Sequence, residues 1–391
     1  MPARASRNEG LFDQLLRRWL GLILIAALIV PLCFCAFIRL VQGGATSGRI
    51  AKYEFTLHEN IIVASVAWSP DGRYIADSAF YGDEIHLWDV ESRKLIAKVH
   101  RKSTLGSEGE LSWSPDGMLL PVCDYQGQIR VYAPPDLREV KFIQQANKKS
   151  CDKTAFSSDG SRWTGLGITS QTLVTYSTKD WQLIKSYDLI KGWYRGRALR
   201  SIAYVPGTST LAVGGGEFEH RGNFNLSNGF VWMLEPEDDV PSREIPVYRY
   251  DSVGIPGNVN HLTLSPDAKA LAAGTSTGSG FSETNTILAG VRILNLQDGR
   301  ILGAPLDGKK RGAPGGLQFS SDGSYVITGH GGTGYHGWGA RFIEVIDAKT
   351  YQVVDSVKSG GDIWDISSNP RSSEFAAGVD KSIVIWKIER Q

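Results

Sequence analysis

Three segments of the sequence concentrate the side chains that most often form binding contacts. Trp, Tyr and Arg contribute most of the binding energy in many protein–protein interfaces, where a few such residues act as anchors. The sequence therefore predicts contacts with a protein or peptide partner through Trp193, Tyr194, Arg195, Phe218, His220, Arg221, Tyr335, His336 and Trp338. An alternative stays open, because the same aromatic side chains could instead pack their own Gly-rich segments into compact Ω-loops.

Histidines in these segments also form a weak candidate for a metal site. His220, His330 and His336 could converge with Glu217, but their spacing matches no known zinc motif, so we predict no metal and no cofactor. Gly331–Gly334 lacks the Lys and the following helix of a phosphate-binding loop. No nucleophile elbow and no His-Glu-x-x-His motif stands out, so we predict no catalytic residue. The sequence favours a protein that is not an enzyme and leaves that question open.

The first 50 residues differ in character from the rest. Residues 1–18 form a polar tail, and residues 19–41 are predicted to be a transmembrane helix that acts as a signal anchor. Trp19–Ile38 carries no charge, and twenty helical residues span ~30 Å, the thickness of the bilayer hydrocarbon. Residues 42–50 are predicted to be a flexible linker. A cleaved signal peptide and a buried helix of a soluble domain are the alternatives.

Basic residues on the two sides of this apolar stretch predict its orientation. Arg17 and Arg18 directly precede it, whereas Arg39, Arg49 and Lys52 are spread out after it. Because basic flanks favour the cytoplasmic side, we expect a single-pass protein with a cytoplasmic N-terminus and an extracytoplasmic main domain.

A unit of four short strands repeats along residues 51–391. Its clearest copy is Val63–Val99, in which alternating segments are separated by tight turns such as Ser69–Gly72. Seven copies have a period of about 45–50 residues, which is typical of propeller blades. The last copy lacks its fourth strand. Apolar and polar residues alternate along Ala51–Leu57, so this segment could supply the missing strand. We therefore predict an all-β, seven-bladed β-propeller closed by an N-terminal strand; a two-sheet sandwich is the alternative.

The turns resemble those of the WD-repeat β-propeller family. The resemblance is carried by Trp68–Gly72, Trp113–Gly117, Phe156–Gly160, Phe319–Gly323, Leu87–Asp89 and Val384–Trp386. Within each turn we expect Asp to cap the backbone and Gly to take a positive φ. The resemblance covers residues 51–391 and implies the fold, but it is almost uninformative about activity.

Family blades often bury a hydrogen-bonded set of His, Ser or Thr, Asp and Trp. In blade one the resemblance implies Ser78, Asp83 and Trp88, with His58 as the fourth member. Blade seven matches only at Asp380 and Trp386, and the other blades depart further. The chain therefore looks like a divergent, bacterial-type member of the family.

Long connections are expected to gather on one face of the ring, which we call the loop face. In an antiparallel blade, the connection between the second and third strands opens on the same side as the connection that enters the first. Four long segments of blades three to six share that side: Leu189–Arg200, Gly214–Asn228, Thr275–Leu288 and Gly329–Ala340. Cys123 and Cys151 should also lie toward it, on adjacent blades; two free buried thiols are favoured over a disulfide.

The charge balance restricts the possible partners. The chain has 42 Lys and Arg against 41 Asp and Glu, a net charge of +1, which argues against nucleic-acid binding. The favoured hypothesis is a membrane-tethered scaffold that binds a protein or peptide through the loop face of blades three to six. Two alternatives are an extracytoplasmic ligand-binding or enzymatic propeller with a site at the mouth of the central channel, and a structural subunit of a membrane complex.

Overall fold

The structure is a computed structural model, and it describes residues 45–80, 83–100, 109–124, 126–145, 150–188, 197–221, 224–248, 257–276, 289–306, 314–330 and 341–390. The predicted transmembrane helix, residues 19–41, lies outside the described residues. Within these ranges every regular element is a β-strand. These ranges contain no helix with the length and apolar composition that a membrane span requires. Residues 45–391 form one compact unit.

The strands form seven separate antiparallel sheets, one for each predicted blade. Blade one contains β2 (Val63–Trp68), β3 (Tyr74–Ala79), β4 (Glu84–Asp89) and β5 (Lys94–His100). Blade two contains β6 (Leu120–Cys123), β7 (Gln128–Ala133) and β8 (Arg138–Gln144), and blade three β9 (Lys153–Phe156), β10 (Arg162–Gly167), β11 (Thr172–Ser177) and β12 (Leu183–Asp188). Blade four contains β13 (Arg197–Tyr204), β14 (Leu211–Arg221), β15 (Phe224–Leu234) and β16 (Arg243–Pro246). Blade five contains β17 (Asn258–Leu264), β18 (Ala270–Ser276), β19 (Ala289–Asn295) and β20 (Ile301–Gly303). Blade six contains β21 (Pro314–Phe319), β22 (Tyr325–His330), β23 (Phe342–Asp347) and β24 (Val353–Lys358), and blade seven β25 (Ile363–Ser368), β26 (Glu374–Val379) and β27 (Ser382–Ile388).

The predicted ring closure is confirmed. Strand β1 (Ala51–His58) pairs antiparallel with β27, in a register that runs from Ala51 opposite Ile388 to His58 opposite Ser382. The first strand of the domain thus completes the last blade. This closure removes the sheet edge that blade seven would otherwise leave open.

The repeated turns also form as predicted. In blade one, the Ser69 hydroxyl donates to Asp71 Oδ1 at 2.5 Å, and the same carboxylate oxygen accepts the Arg73 N–H at 3.0 Å. Gly72 has a φ of 73°, a conformation that costs Gly little. The same Ser–Asp hydrogen bond recurs in the turns of blades two, three, five and six, at Ser114–Asp116, Ser157–Asp159, Ser265–Asp267 and Ser320–Asp322.

Blade two departs from the prediction. Four strands were expected in each repeat, but the structure assigns this blade only β6, β7 and β8, and the segment 111–114 before its turn is not a strand. The segment bonds to blade one instead: the Leu111 N–H donates to Ser65 Oγ, and the Trp113 indole N–H donates to the carbonyl of Ala67. Leu111 and Trp113 stay buried, so the apolar pattern correctly marked core positions although the strand ladder is absent.

The core lies between neighbouring blades, because each sheet buries both of its faces against the next one. At the closure, Trp68 and Ile75 of blade one pack against Ile383 and Ile385 of blade seven. Burying one such aliphatic side chain is worth roughly 1.5–3 kcal/mol, so stacking supplies the stability that a single four-stranded sheet lacks.

The first strands of the blades face the central channel, and most of them carry a β-bulge at the same level. In blades one, four, five, six and seven, the pairing of the first strand with the second skips one residue: Ala64, Arg200, Asn260, Gly315 and Trp364. A bulge re-aims the neighbouring side chains. The residues that follow the bulges include Ser201, His261 and Asp365, and these three line the channel.

Residues 45–50, which belong to the predicted linker 42–50, are hydrogen-bonded to the propeller. The N–H groups of Ile50 and Ala51 both donate to Asp355 Oδ2, at 2.7 and 2.8 Å. The N–H of Thr46 donates to the carbonyl of Lys358, and its own carbonyl accepts the indole N–H of Trp386. The segment that precedes β1 therefore holds blades six and seven together.

Replacing Asp355 by Asn should destabilise the closure and change its pH dependence. Burial raises the pKa of Asp355, but hydrogen bonds from the backbone of Ala51, Ile50 and Arg49 outweigh it and lower the pKa below the ordinary 3.8. A carboxyl whose native pKa is lowered stabilises the fold above its unfolded pKa, and that contribution is lost as the pH falls through the native value. Weakening these charge-assisted bonds should cost about 1–3 kcal/mol at pH 7.

Chemical denaturation of the wild type and Asp355→Asn at pH 7 and at pH 3 tests this expectation. The difference between the two proteins should shrink at the lower pH. Ser356→Ala, a change at the adjacent exposed side chain of β24, is the matched control. A difference that is the same at both pH values would contradict the assignment.

Candidate functional site

The most distinctive element of the loop face is a hairpin that extends blade four. Strands β14 and β15 stay paired in an unbroken register up to Arg221 opposite Phe224. Each has 11 residues, whereas the strands of blade one have six or seven. The predicted long loop Gly214–Asn228 is therefore wrong: this segment is a paired two-stranded extension.

The glycines that suggested a loop have a packing role in β14. A Cβ atom on Gly214 would lie 2.4 Å from Ser201 Oγ and 2.6 Å from a methyl of Val259. A Cβ atom on Gly215 would lie 2.4 Å from the carbonyl oxygen of Ala198. All three distances are shorter than real Cβ contacts allow, so β14 approaches both β13 of its own blade and β17 of blade five closely because the side chains are absent.

An ion-pair and aromatic cluster fixes the base of this hairpin. Arg197 on β13 contacts Glu244 on β16 (Nη1–Oε2, 2.6 Å) and Glu217 on β14 (Nη2–Oε2, 3.4 Å). Its guanidinium lies over the rings of Phe230 and Trp232, 5.0 and 5.5 Å from their centroids. The Trp232 indole N–H also donates to Glu244 Oε2 at 2.8 Å. One Arg side chain thus links the first, second, third and fourth strands of the blade.

The charges in this cluster stabilise one another. Burial raises the pKa of Glu244, but hydrogen bonds from Trp232 and Arg197 outweigh it and lower the pKa below the usual value. Burial likewise lowers the pKa of Arg197, and Glu244 and Glu217 more than restore it. Arg197 and Glu244 therefore attract each other at the base of the hairpin.

The structure describes the backbone of three of the nine predicted contact residues. Phe218, His220 and Arg221 lie on β14, opposite Ser227, Asn225 and Phe224 of β15. The other six predicted contacts lie outside the described residues: Trp193, Tyr194, Arg195, Tyr335, His336 and Trp338.

The described part of the predicted metal candidate does not converge. Glu217 belongs to the Arg197 cluster of blade four. His330 is fully buried in blade six, where its Nε2 lies 3.2 Å from Oε2 of the equally buried Glu344. His336 lies outside the described residues, and only the backbone of His220 is described.

The central channel holds a polar cavity of about 380 Å³, including the space open to solvent. Its lining comes from six blades: Glu110, Lys153, Ser201, Ile202, Asn260, His261, Leu262, Leu317, Gln318, Asp365 and Ile366. Lys153 Nζ lies 3.7 Å from Glu110 Oε2, and Asp365 accepts hydrogen bonds from Ser65 Oγ and the Val66 N–H. Burial raises the pKa of Asp365, although these bonds and the charge of Lys153 oppose the shift. A channel site was predicted in general, but none of these residues was named, because they come from six blades and share no linear motif.

The buried polar set of blade one differs from the one that the resemblance implied. Of the predicted residues only Trp88 takes part, and its indole N–H donates to Asp77 Oδ2 at 2.8 Å and to Glu59 Oε1 at 3.0 Å. Asp77 and Glu59 both face His86, so the set is Glu59, Asp77, His86 and Trp88.

The three other predicted members make separate contacts. The Ser78 hydroxyl donates to the carbonyl of Gly109, and Asp83 is half exposed, 3.9 Å from the exposed His100. His58 is exposed, with Nδ1 3.5 Å from Ser382 Oγ. In blade seven, Asp380 Oδ1 accepts the N–H of Asp362, whereas Trp386 donates to Thr46.

Cys123 and Cys151 form a disulfide with a Cα–Cα distance of 5.5 Å. The prediction placed both residues at adjacent blades, which is confirmed, but it favoured free thiols, which is wrong. Cys123 ends β6 and Cys151 precedes β9, so the bond links blade two to blade three. Both residues are buried, and the Gln145 amide lies 3.1 Å from Cys151 Sγ.

Comparison with known proteins agrees with this architecture. Residues 51–89, which comprise β1 and most of blade one, match the family described as "WD domain, G-beta repeat". A WD repeat-containing protein, AAC3 of Dictyostelium discoideum, is 26% identical over 98 residues. That similarity covers 25% of this chain and 20% of the relative, so the chain spans about a fifth of the relative's length. The chain is therefore similar to WD-repeat proteins over blade one, and its seven-sheet ring agrees with a β-propeller.

Proposed function

We propose that the protein is a membrane-tethered scaffold that binds a protein or peptide partner through the loop face of blades three to six. A WD-repeat propeller suggests a protein-interaction scaffold in general. The observation that carries the finer proposal is the extension of β14 and β15 beyond the blade-four sheet. Binding residues concentrate on elements that project from a rigid framework, and this hairpin has the Arg197 cluster as its base.

The backbone of the hairpin offers a specific mode of recognition. Pairing of β13 with β14 ends at Glu217, and pairing of β15 with β16 ends at Phe230. The carbonyl of Gly229 still accepts the N–H groups of Val247 and Tyr248. Past Glu217 on β14 and Gly229 on β15, the described residues of the two strands pair only with each other for about 14 Å, taking four residues at ~3.4 Å each. A two-stranded hairpin is marginally stable alone. An extended peptide could add to either open edge by β-augmentation, with nearby aromatic residues supplying side-chain contacts.

The tether and the location are also part of the proposal. The uncharged stretch Trp19–Ile38 supports a membrane anchor, and its basic N-terminal flank favours a cytoplasmic N-terminus. The disulfide between Cys123 and Cys151 supports an extracytoplasmic propeller, since disulfides persist mainly in oxidising compartments. Thiol alkylation of intact membranes should leave both residues unmodified until a reductant is added. Direct alkylation of Cys123 or Cys151 without a reductant would refute this location.

Substitution of the predicted aromatic anchors tests the binding face. Trp193→Ala and Trp338→Ala should each weaken partner binding by about 2 kcal/mol, roughly 30-fold, because buried Trp anchors carry much of an interface's energy. Affinity capture from solubilised membranes identifies the co-purifying partner, and titration of that partner against each variant gives the affinity. Met118→Ala changes an exposed side chain in a turn of the opposite face and is the matched control.

A second variant isolates the hairpin. Replacing residues 218–227 by Asn-Gly joins Glu217 to Asn228 through a two-residue turn and leaves the blade-four sheet intact. Partner binding should be lost while the thermal unfolding midpoint stays the same. Unchanged capture of the same partner by this variant and by the Trp193→Ala/Trp338→Ala protein would refute the proposed face.

A channel ligand is the second candidate function, and the polar cavity favours it. Lys153→Met would remove its buried cation and should abolish binding of a small charged ligand, while partner capture through the hairpin would be unaffected. A structural role in a membrane complex is the third candidate. It predicts that the chain accumulates only when a partner subunit is co-expressed, whereas a scaffold should be stable by itself.

A further inference from the structure

The buried polar set of blade one has the composition and geometry of a metal-binding site. Glu59 Oε1 lies 3.1 Å and Asp77 Oδ1 lies 3.4 Å from His86 Nδ1, and the three atoms lie within 4.8 Å of one another. The side chains are only 5%, 0% and 5% exposed, respectively. A tetrahedral zinc ion with bonds of about 2.0–2.1 Å separates its ligand atoms by about 3.4 Å. The two distances to His86 are close to that separation.

The second nitrogen of His86 has its own carboxylate partner. His86 Nε2 lies 3.4 Å from Glu84 Oε2, and Glu84 is in turn paired with Lys98 and His100. An imidazole that donates its Nε2 proton to Glu84 presents the lone pair of Nδ1 to Glu59 and Asp77. Metal-bound histidines are oriented by carboxylates in the same way.

One carboxylate oxygen of this set accepts no hydrogen bond from any described residue. Asp77 Oδ1 is fully buried, and His86 Nδ1, which lies 3.4 Å from it, also faces Glu59 Oε1 at 3.1 Å. Two buried carboxylates thus share one nitrogen of His86, and a divalent cation bound by all three groups would balance both negative charges.

We propose that Glu59, Asp77 and His86 bind a divalent transition-metal ion of the zinc class, with Glu84 as the residue that positions the His86 ring. The site joins the connection after β1 to strands β3 and β4, so the ion would link the closing strand to blade one. The Trp88 indole N–H, which contacts both carboxylates, would hold them in place. Binding displaces the Nδ1 proton of His86 into the solvent and therefore competes with protonation.

The test uses the full chain, solubilised in detergent and stripped with a chelator. Titration with Zn²⁺, followed by calorimetry, should give one ion per chain and a release of protons that depends on the buffer. Co²⁺ should produce the visible absorption of a low-symmetry, four-coordinate site. The absence of a one-to-one Zn²⁺ complex at micromolar concentrations would overturn the proposal.

Three variants assign the ligands. Asp77→Asn/His86→Gln keeps the side-chain sizes and should weaken Zn²⁺ binding at least 100-fold. Glu84→Gln leaves all three ligands present and should weaken it about 10- to 100-fold, the usual effect of losing the group that orients a ligand. His58→Gln changes an exposed histidine nearby and should bind Zn²⁺ as the wild type does.

The outcomes are distinguishable even if the double variant does not fold. In that case the Zn²⁺ affinity of the Glu84→Gln variant is the deciding measurement. An affinity equal to that of the wild type would overturn the proposal. Unchanged affinity in a folded double variant would do the same. Loss of binding in His58→Gln alone would place the ion at the surface histidine and refute the buried site.

Discussion

A chain that begins at Asn60 should not fold cooperatively, whereas a chain that begins at Ala45 should unfold with the same midpoint as the intact domain. The first truncation removes β1 and with it seven registered residue pairs against β27. It also removes the buried side chains of Ala51 and Leu57 and both N–H donors to Asp355. Together these losses are on the order of 10 kcal/mol, which is comparable to the whole stability of a typical domain.

Thermal unfolding followed by circular dichroism, together with gel filtration, checks this prediction. The chain that begins at Asn60 should elute as aggregate because the exposed edge of β27 can pair with other chains. A peptide of residues 45–58, added during refolding, should restore the monomer if closure is the missing interaction. Cooperative unfolding of the Asn60 chain at the normal midpoint would contradict the importance of β1.

Removing the disulfide should have the second largest effect. The bond joins residues that are 28 positions apart, and a closed loop of that length is worth about 3.5 kcal/mol in the chain-entropy treatment. Cys123→Ala/Cys151→Ala should therefore lose about that much free energy of unfolding. Alanine adds no hydroxyl to the buried site beside Gln145, so the change reports mainly on the cross-link.

Denaturant titration with and without a reductant separates the cross-link from the packing. The wild type should fall to the stability of the double variant when reduced, and the double variant should not respond to the reductant. Cys33→Ala/Cys35→Ala, which changes the other two cysteines of the chain, is the control and should retain the response. A wild type that keeps its full stability under reduction would contradict the stabilising role of the bond.

Features that depend on local chemistry were predictable from the sequence. The Ser-Pro-Asp-Gly turn forms through hydrogen bonds between residues at most five positions apart, so the segment Ser69–Tyr74 determines its own conformation. Closure by β1 was also predictable, because seven copies with one missing strand leave the alternating segment Ala51–Leu57 a single place to pair. Both predictions rest on patterns that can be read along the chain: a turn motif within six residues and a repeat that lacks one strand.

Features that depend on contacts between strands were not predictable. Gly214 and Gly215 indicated a loop by composition, yet they serve a strand in which Ser201, Val259 and Ala198 leave no room for a side chain. The Glu59, Asp77 and His86 set comes from three separate segments, and the alignment of Asp77 opposite His86 is visible only in the register of β3 and β4. A sequence pattern gives the spacing of residues along the chain, whereas these contacts join residues on different segments of the chain.

The pairing of β1 with β27 also has a consequence for biosynthesis. The ribosome completes Ala51 first and its partner Ile388 337 residues later. At ~5–20 residues per second, this interval lasts roughly 15–70 s, during which β1 has no partner strand. The half-made ring must therefore keep the edge of β1 from pairing with other nascent chains, and the polar side chains Lys52 and Glu54 along that strand suit this need.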